Sequence, residues 1–440
     1  MFKKYQYLTF MLIAVALLQS CSKDYFDLNT NPNQVDKPTL GTLLTTATHK
    51  TGINSYNVGS ITSVYVQYLA NPSASASSDI YQVVDYTSTW DALYYAMADI
   101  NDLKALAKEQ GSSEYVGVAD VLLSYHLTLV SDLWGNAPFS DAFFTATKTL
   151  TPKYDTHEQL YTTAMSLLDE GITELTKTDA TIKLAAASDL IHGGARDKWL
   201  KTAYALKARM LIKVSKKATY SPTAVLAAVD NSYKSNADDA GMAAFQLRNS
   251  WAQVARNNAA LTLSGWLSEQ LVDHLNGVSY GVFDPRIRKI TDPTVNGIFI
   301  GTVNGAGNRP PGNNTVKDEN YVAVSSPWTS DLAPLLIVTY AELKFIEAEA
   351  ALAAGLPTRA YTAYLAGINA NMDKLQVPAG AEKTAYLAAA AVGEAGLTRD
   401  LIMKEKYVAT YLNPEAWNDA RRYDYAYKNF TLPQNAVLST

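Results

Sequence analysis

The chain has 440 residues, 48% of them hydrophobic, with 37 Lys and Arg against 42 Asp and Glu, a formal net charge of −5. That balance argues against a general nucleic-acid binder, which needs a basic face, and a single cysteine excludes an internal disulfide. Tyrosine is the unusual component, 28 against 11 Phe; its apolar face and polar tip suit wet binding surfaces and packed helix interfaces alike.

The N-terminus carries Lys3 and Lys4, followed by a mostly apolar run from Tyr7 to Leu18. A basic start and a short apolar stretch read as a signal peptide over residues 1–20, and the run falls short of the roughly 20 residues that span a bilayer. Leu18-Gln19-Ser20-Cys21 fits a bacterial lipobox, which makes Cys21 the first mature residue and its thiol the point of lipid attachment. Each buried CH₂ of an acyl chain adds about 0.8 kcal/mol of membrane affinity, so several chains hold a soluble body on a membrane. Residues 21–38, "CSKDYFDLNTNPNQVDKP", are polar and turn-rich and read as a tether. Residues 39–440 read as one large helical domain, with no later stretch expected to span a bilayer.

Helical periodicity dominates from there. The run "TWDALYYAMADINDLKALAKEQG" places Trp90, Leu93, Tyr94, Met97, Ile100, Leu103 and Leu106 on one face and stops at Gly111. The next run has Ala119, Leu122, Leu123, His126, Leu127 and Val130 inward and stops at "WGNAPF". Asp155, three residues before Glu158, opens a third helix as a capping box. "RDKWLKTAYALKARMLIKV" and a helix opened by Ser221-Pro222 follow. "LSGWLSEQLVDHLNG" is expected as another helix closed by Gly277. Residues 278–331 are rich in Gly, Asn and Pro and read as long loops with a short strand at "GIFIGTV". Thr339 and Glu342 form a second capping box, opening "YAELKFIEAEAALAAG" and then "LPTRAYTAYLAGINANMDKL", a helix pair of tetratricopeptide type with small residues at Ala341, Ala348 and Ala351. "TRDLIMKEKYVATYL" and "NPEAWNDARRYDYAY" complete the helical part. The fold class is mainly α, with one irregular segment.

The lipobox, "FDLNTNPN", "TWDALYYAMADINDL", "SDLWGNAPFSDAF", "TAYALKARMLIKV", "FDPRI", "YAELKFIEAEAALAAG" and "EAWNDARRYDYAY", in this order and spacing, resemble the SusD/RagB family of outer-membrane nutrient-binding lipoproteins. The resemblance covers most of the chain. It implies a single SusD-like domain built on tetratricopeptide-like helix pairs, with a looped region that carries the ligand site. It also implies a partner, a SusC-like TonB-dependent β-barrel transporter, and an oligosaccharide or other nutrient as ligand. No catalysis and no cofactor are implied. Lys23 departs from the acidic run that often follows the lipid cysteine in surface-exported relatives.

A glycan site needs flat apolar faces for sugar C–H groups and polar side chains for hydroxyls. Aromatics at helical spacing are core by default, which assigns Trp90, Trp199 and Trp266 to packing; Trp134 and Trp417 flank motif turns and are read as packing there. Aromatics in loops are the candidates. These are Trp328; Trp251 with Arg256 and Asn257, read as preceding a helix; Tyr81 and Tyr86 after the small-residue loop "NPSASASSD"; and Tyr321. The rival reading, a helical glycoside hydrolase, needs two carboxylates about 5–10 Å apart. Glu347 and Glu349 do not face each other on a helix, and Asp284 reads as a turn residue. No Gly-x-Ser-x-Gly elbow, zinc spacing or phosphate loop is present, so no catalytic and no metal-binding residues are assigned. A scaffold that binds only protein is the third reading.

Overall fold

The computed structural model describes residues 38–143, 149–259, 265–309 and 318–437. The leader, Cys21 and all but the last residue of the tether lie outside the described residues. Fourteen α-helices and four short strands make up the described residues, and the helices belong to one unit, Leu40–Thr440.

Helix α1 (Leu40–Tyr65) buries Leu44, Val58 and Ile61 and leads into the two-residue strand β1 (Leu69–Ala70). Helix α2 (Thr87–Glu109) buries Leu93, Met97, Ile100 and Leu103, as its periodicity requires. Helix α3 (Ser113–Trp134) is buried on nearly every side. It is, against expectation, long and apolar enough to cross a membrane, yet 83% of that stretch is covered by the rest of the fold. Helix α4 (His157–Thr176) lies against α3 where two glycines meet. A Cβ on Gly117 would stand 3.0 Å from the Gly171 carbonyl oxygen, and one on Gly171 would stand 3.1 Å from that of Gly117.

The α4 cap differs from the expected one by a residue. Thr156 and Gln159 form the capping box. Asp155 instead accepts hydrogen bonds from the Phe139 and Ser140 N–H groups at 2.9 and 2.8 Å and from the Ser140 hydroxyl at 2.7 Å. It thereby fastens the turn after Gly135, whose φ of 75° ends α3.

Helices α5 (Arg196–Lys213) and α6 (Pro222–Asp230, capped by Ser221) follow, then β2 (Ala240–Met242) and α7 (Ser250–Ala259). The "LSGWLSEQLVDHLNG" segment is not one helix. Trp266 and Leu267 form β3, antiparallel to β1, and Ser268 caps a shorter helix α8 (Glu269–Asn276) closed by Gly277. Residues 278–331 hold the single-turn helix α9 (Ile287–Ile290) and isolated bridges such as Ser268 to Thr302; "GIFIGTV" forms no strand. Strand β4 (Leu335–Val338) pairs with β2, nearly 100 residues away in sequence, with a bulge at Ala240/Gly241.

Helices α10 (Tyr340–Ala353) and α11 (Pro357–Lys374) form the expected pair. Thr339 accepts the Glu342 N–H at 3.2 Å, but the Glu342 carboxylate leaves the capping box for the buried Arg209 at 2.7 and 2.6 Å. Helices α12 (Ala381–Ala390), α13 (Arg399–Ala409) and α14 (Glu415–Arg422) complete the fold.

Buried ion pairs join distant elements. Arg286 of "FDPRI" is fully buried between Asp284 and Glu405, with Tyr386 and Asn371 on its remaining donors. Asp284 is thus a salt-bridge partner as well as a turn residue. Arg422 of α14 grips Glu349 of α10 with both terminal nitrogens, and Glu347 pairs with Lys344 and Arg359. Both glutamates therefore serve structure.

Candidate functional site

An open cleft of about 510 Å³ is lined by Tyr65, Tyr81, Trp417, Asp424, Tyr425, Phe430 and Leu432. Its volume falls in the range of small-molecule sites, about 300–1,000 Å³. Its walls come from helix residues and loops far apart in sequence. Tyr65 is the last residue of α1, and Tyr81 sits on the loop between β1 and α2. Trp417 projects from α14, and the rest come from the chain just beyond it.

The rings form a connected arc. Tyr65 stacks on Tyr81 at 5.7 Å between centroids and lies 5.6 Å from Trp417. Trp417 lies 6.3 Å from Tyr425, which lies 5.4 Å from Phe430. The Arg421 guanidinium sits 4.8 Å over the Trp417 ring, a cation–π arrangement. Arg421 is itself held by the Asn418 side-chain oxygen at 2.7 Å and the Asp132 carbonyl at 3.2 Å. The "SDLWGNAPF" and "EAWNDARR" segments therefore meet beneath the cleft. The Asp132 carboxylate also accepts from Asn418 at 2.7 Å and pairs with Lys213 at 2.6 Å. Asp424, the one carboxylate among the described lining residues, pairs with Lys216.

The polar tips are organised as well. The Tyr86 and Tyr65 hydroxyls lie 3.3 Å apart. Burial pushes the Tyr425 phenol up to about 12 and raises those of Tyr81 and Tyr86. All three keep a proton to donate at neutral pH.

The backbone around the cleft is strained. Tyr81, Asp424 and Tyr425 have φ of 63°, 57° and 55°, a left-handed conformation uncommon for non-glycine residues. Such strain costs on the order of 1–3 kcal/mol per residue and gathers where it positions side chains for function.

Of the sequence candidates, Tyr81 lines the cleft and Tyr86 stands at its edge against Tyr65. The other five lie elsewhere. Trp251 and Trp328 are 5% and 6% exposed. Trp251 belongs to α7 rather than to the loop before it, and packs edge-on against Tyr56 at 4.8 Å. The cavity between the two tryptophans holds only about 10 Å³, so both are core residues and neither offers a face to a ligand. Arg256 is tied to Asp331 on the surface, and Asn257 accepts from Gln253 at 2.8 Å. Tyr321 leans on Trp266 at 6.0 Å. Tyr65, Trp417, Asp424, Tyr425, Phe430 and Leu432 escaped sequence reasoning. The available signal was the aromatic density after α14, where Tyr423, Tyr425, Tyr427 and Phe430 follow within eight residues. No group of three or more His, Cys, Asp or Glu suited to a metal occurs among the described residues.

Comparison with known proteins agrees with this architecture. The family described as "Starch-binding associating with outer membrane" (SusD-like_2) matches residues 32–436. A SusD/RagB family protein from Bacteroides thetaiotaomicron superposes with a TM-score of 0.69 at 21% identity, covering 92% of this chain and 90% of that one. A chitin-binding protein superposes with a TM-score of 0.75 at 22% identity, covering 91% and 92%. A chitin-binding SusD homolog from Flavobacterium johnsoniae gives 0.69 at 20% identity, covering 85% and 86%. No curated protein sequence matches the chain. The match over nearly its whole length makes this chain a member of the SusD-like family.

Proposed function

We propose that this protein is a glycan-capturing lipoprotein of the outer membrane, anchored through Cys21, that passes oligosaccharides to a SusC-like TonB-dependent transporter. The aromatic arc from Tyr81 through Tyr65 and Trp417 to Tyr425 and Phe430 is the binding surface, and it is the observation that carries this reading. Flat rings stack on sugar C–H faces, while the tyrosine hydroxyls, Asp424 and Arg421 at the rim meet hydroxyl groups. The arc is largely fixed before binding, because its backbone is locked in unusual conformations and Arg421 is held from two sides. Preformed rings lose little freedom on binding. The cleft contributes one carboxylate where hydrolysis calls for a flanking pair, which favours capture over turnover. The chitin-binding relatives are consistent with a glycan ligand.

The test is calorimetric titration of the full-length protein in detergent with malto-, cello- and N-acetylchito-oligosaccharides of two to six units, with the same samples assayed for new reducing ends. Saturable binding without cleavage is expected. Absence of binding across all three series, or release of reducing ends, contradicts the proposal.

A further inference from the structure

Beside the aromatic cleft lies a second groove of about 180 Å³, bordered by Gln67, Glu269, Asp273, Asn304, Asn429 and Thr431. Leu432, 59% exposed, lines both cavities, so a chain lying over it would enter each. On the groove side Gln67 donates to the Thr431 carbonyl at 2.6 Å, fixing the residue next to Leu432. Gln67 and Asn429, like Tyr81, Asp424 and Tyr425, have left-handed backbones, with φ of 56° and 62°. Five of the nine non-glycine residues with positive φ among the described residues therefore border these two adjoining cavities.

The groove has a polar floor and acidic walls. Its floor is built from the buried side chains of Gln67, Ser268, Gln270 and Asn304. Each gives one hydrogen bond to the protein, and the three amides each carry a second N–H. Gln67 gives to Thr431, Gln270 to the Lys428 carbonyl at 3.1 Å, and Asn304 to the Leu69 carbonyl at 3.0 Å. The Ser268 hydroxyl gives to the Asn304 side-chain oxygen at 2.6 Å. What the walls add are the carboxylates of Glu269 and Asp273, one turn apart on α8. Arg309 partly offsets Glu269, while Asp273 accepts only from Asn276 at 3.1 Å among the described residues. Two carboxylates against a single arginine favour a ligand that donates hydrogen bonds and repel an anionic one.

We propose that this groove is a second subsite for the same glycan chain, one that takes a hydroxyl- or amine-bearing sugar and rejects uronate and sulfated sugars. This rests on the capture reading above and deepens it in two respects. The chain must be long enough to cross Leu432, and the sugar entering the groove must be neutral or carry an amine.

The experiment is calorimetry on the full-length protein with two sets of probes. The first is the malto-, cello- and N-acetylchito-oligosaccharides from dimer to hexamer. The second is the tetramers of glucosamine and galacturonic acid. For the neutral series that binds, affinity should rise at least about tenfold, one factor of ten per 1.4 kcal/mol, from dimer to tetramer, and galacturonate should bind at least about tenfold more weakly than the neutral tetramer. Asp273→Asn should narrow that gap and leave dimer affinity unchanged, whereas Trp417→Ala should weaken dimer and tetramer together. A dimer that binds as tightly as the tetramer overturns the subsite and leaves glycan capture standing, as does a galacturonate tetramer that matches the neutral one. Binding of no probe overturns the capture reading and the subsite with it.

Discussion

Trp417 and Trp251 look alike in the sequence and do opposite things in the fold. Trp417 sits on α14 with one ring face over the cleft and Arg421 against the ring. Removing it should cost about 1–2 kcal/mol of binding, roughly a five- to thirtyfold loss of affinity. The ring also packs between Tyr65 and Tyr425 with its indole nitrogen buried, so the melting temperature should fall too, though less than for a fully enclosed tryptophan; calorimetry and thermal unfolding of Trp417→Ala check both expectations. Trp251 is enclosed by Tyr56, Trp328 and Leu335. Trp251→Ala should lose on the order of 3–5 kcal/mol of stability while the remaining folded fraction keeps its affinity, as denaturant unfolding and titration of the same sample would show. The rule that helix-spaced aromatics are core served for Trp199 and Trp266, both 1% exposed. Trp417, read as packing at a motif turn, does pack against the core and also lines the cleft, because α14 is short and ends at the surface, and no pattern in eight residues marks which face stays open. The converse rule, that loop aromatics are the candidates, failed for Trp251, where polar neighbours on the outer face of α7 resemble a loop. His126 was legible as a core residue: its Nδ1 meets the Leu122 carbonyl at 2.9 Å.

At the scale of elements, the long helices were readable and their junctions were not. Helices α2 and α4 follow their apolar spacing closely, because a stripe that must be buried fixes the face. The strands β1 to β4 are two to four residues long and pair across wide separations in sequence, so no local alternation announces them. Asp155 illustrates the same limit: its role in tying down Phe139 and Ser140 depends on where the preceding turn arrives, which a local capping pattern cannot show. Close helix approach gives a direct test. Gly171→Val places a branched side chain against the Gly117 carbonyl oxygen and the Val121 and Asp120 side chains. Overpacking of this kind costs about 1–3 kcal/mol, so the melting temperature should fall, with affinity retained because the cleft lies on other elements. The α10–α14 junction gives a second. Arg422→Ala leaves the Glu349 carboxylate buried without its bidentate partner, and loss of one member of a buried pair costs about 3–5 kcal/mol.

Across the whole molecule, buried ionisable groups set the response to pH. Burial holds His126 and His192 down at about 4 and His274 at about 3, against 6.5 for the free side chain. Their protons bind more readily to the unfolded chain, so stability falls as pH drops from about 6.5 towards those values. Asp120 works in the opposite sense. Burial pushes it up to about 6 in spite of Lys104, so between about 3.8 and 6 its folded form takes up the proton and stability rises as pH falls. Burial raises Asp79, Asp102, Asp239, Glu269, Asp273 and Glu415 in the same sense, which offsets part of the histidine loss, while Glu405, held near 2 beside Arg286, adds a further loss below about 4.5. The melting temperature at about pH 5 should therefore lie below that at about pH 7.5; an equal or higher value would contradict the assignment of these histidines as neutral buried groups.

The family resemblance foresaw this mainly helical fold, and the comparisons bear it out. It left the binding surface open, because the cleft is assembled from the end of α1, the loop before α2 and the chain after α14, segments far apart in sequence. The most direct measurement of the central claim is a crystal structure of the protein with whichever of maltohexaose, cellohexaose or N-acetylchitohexaose binds it. The account predicts sugar rings lying on Trp417 and Tyr81, with the chain continuing over Leu432. An intact oligosaccharide seated on another face, with the aromatic arc empty, would contradict it.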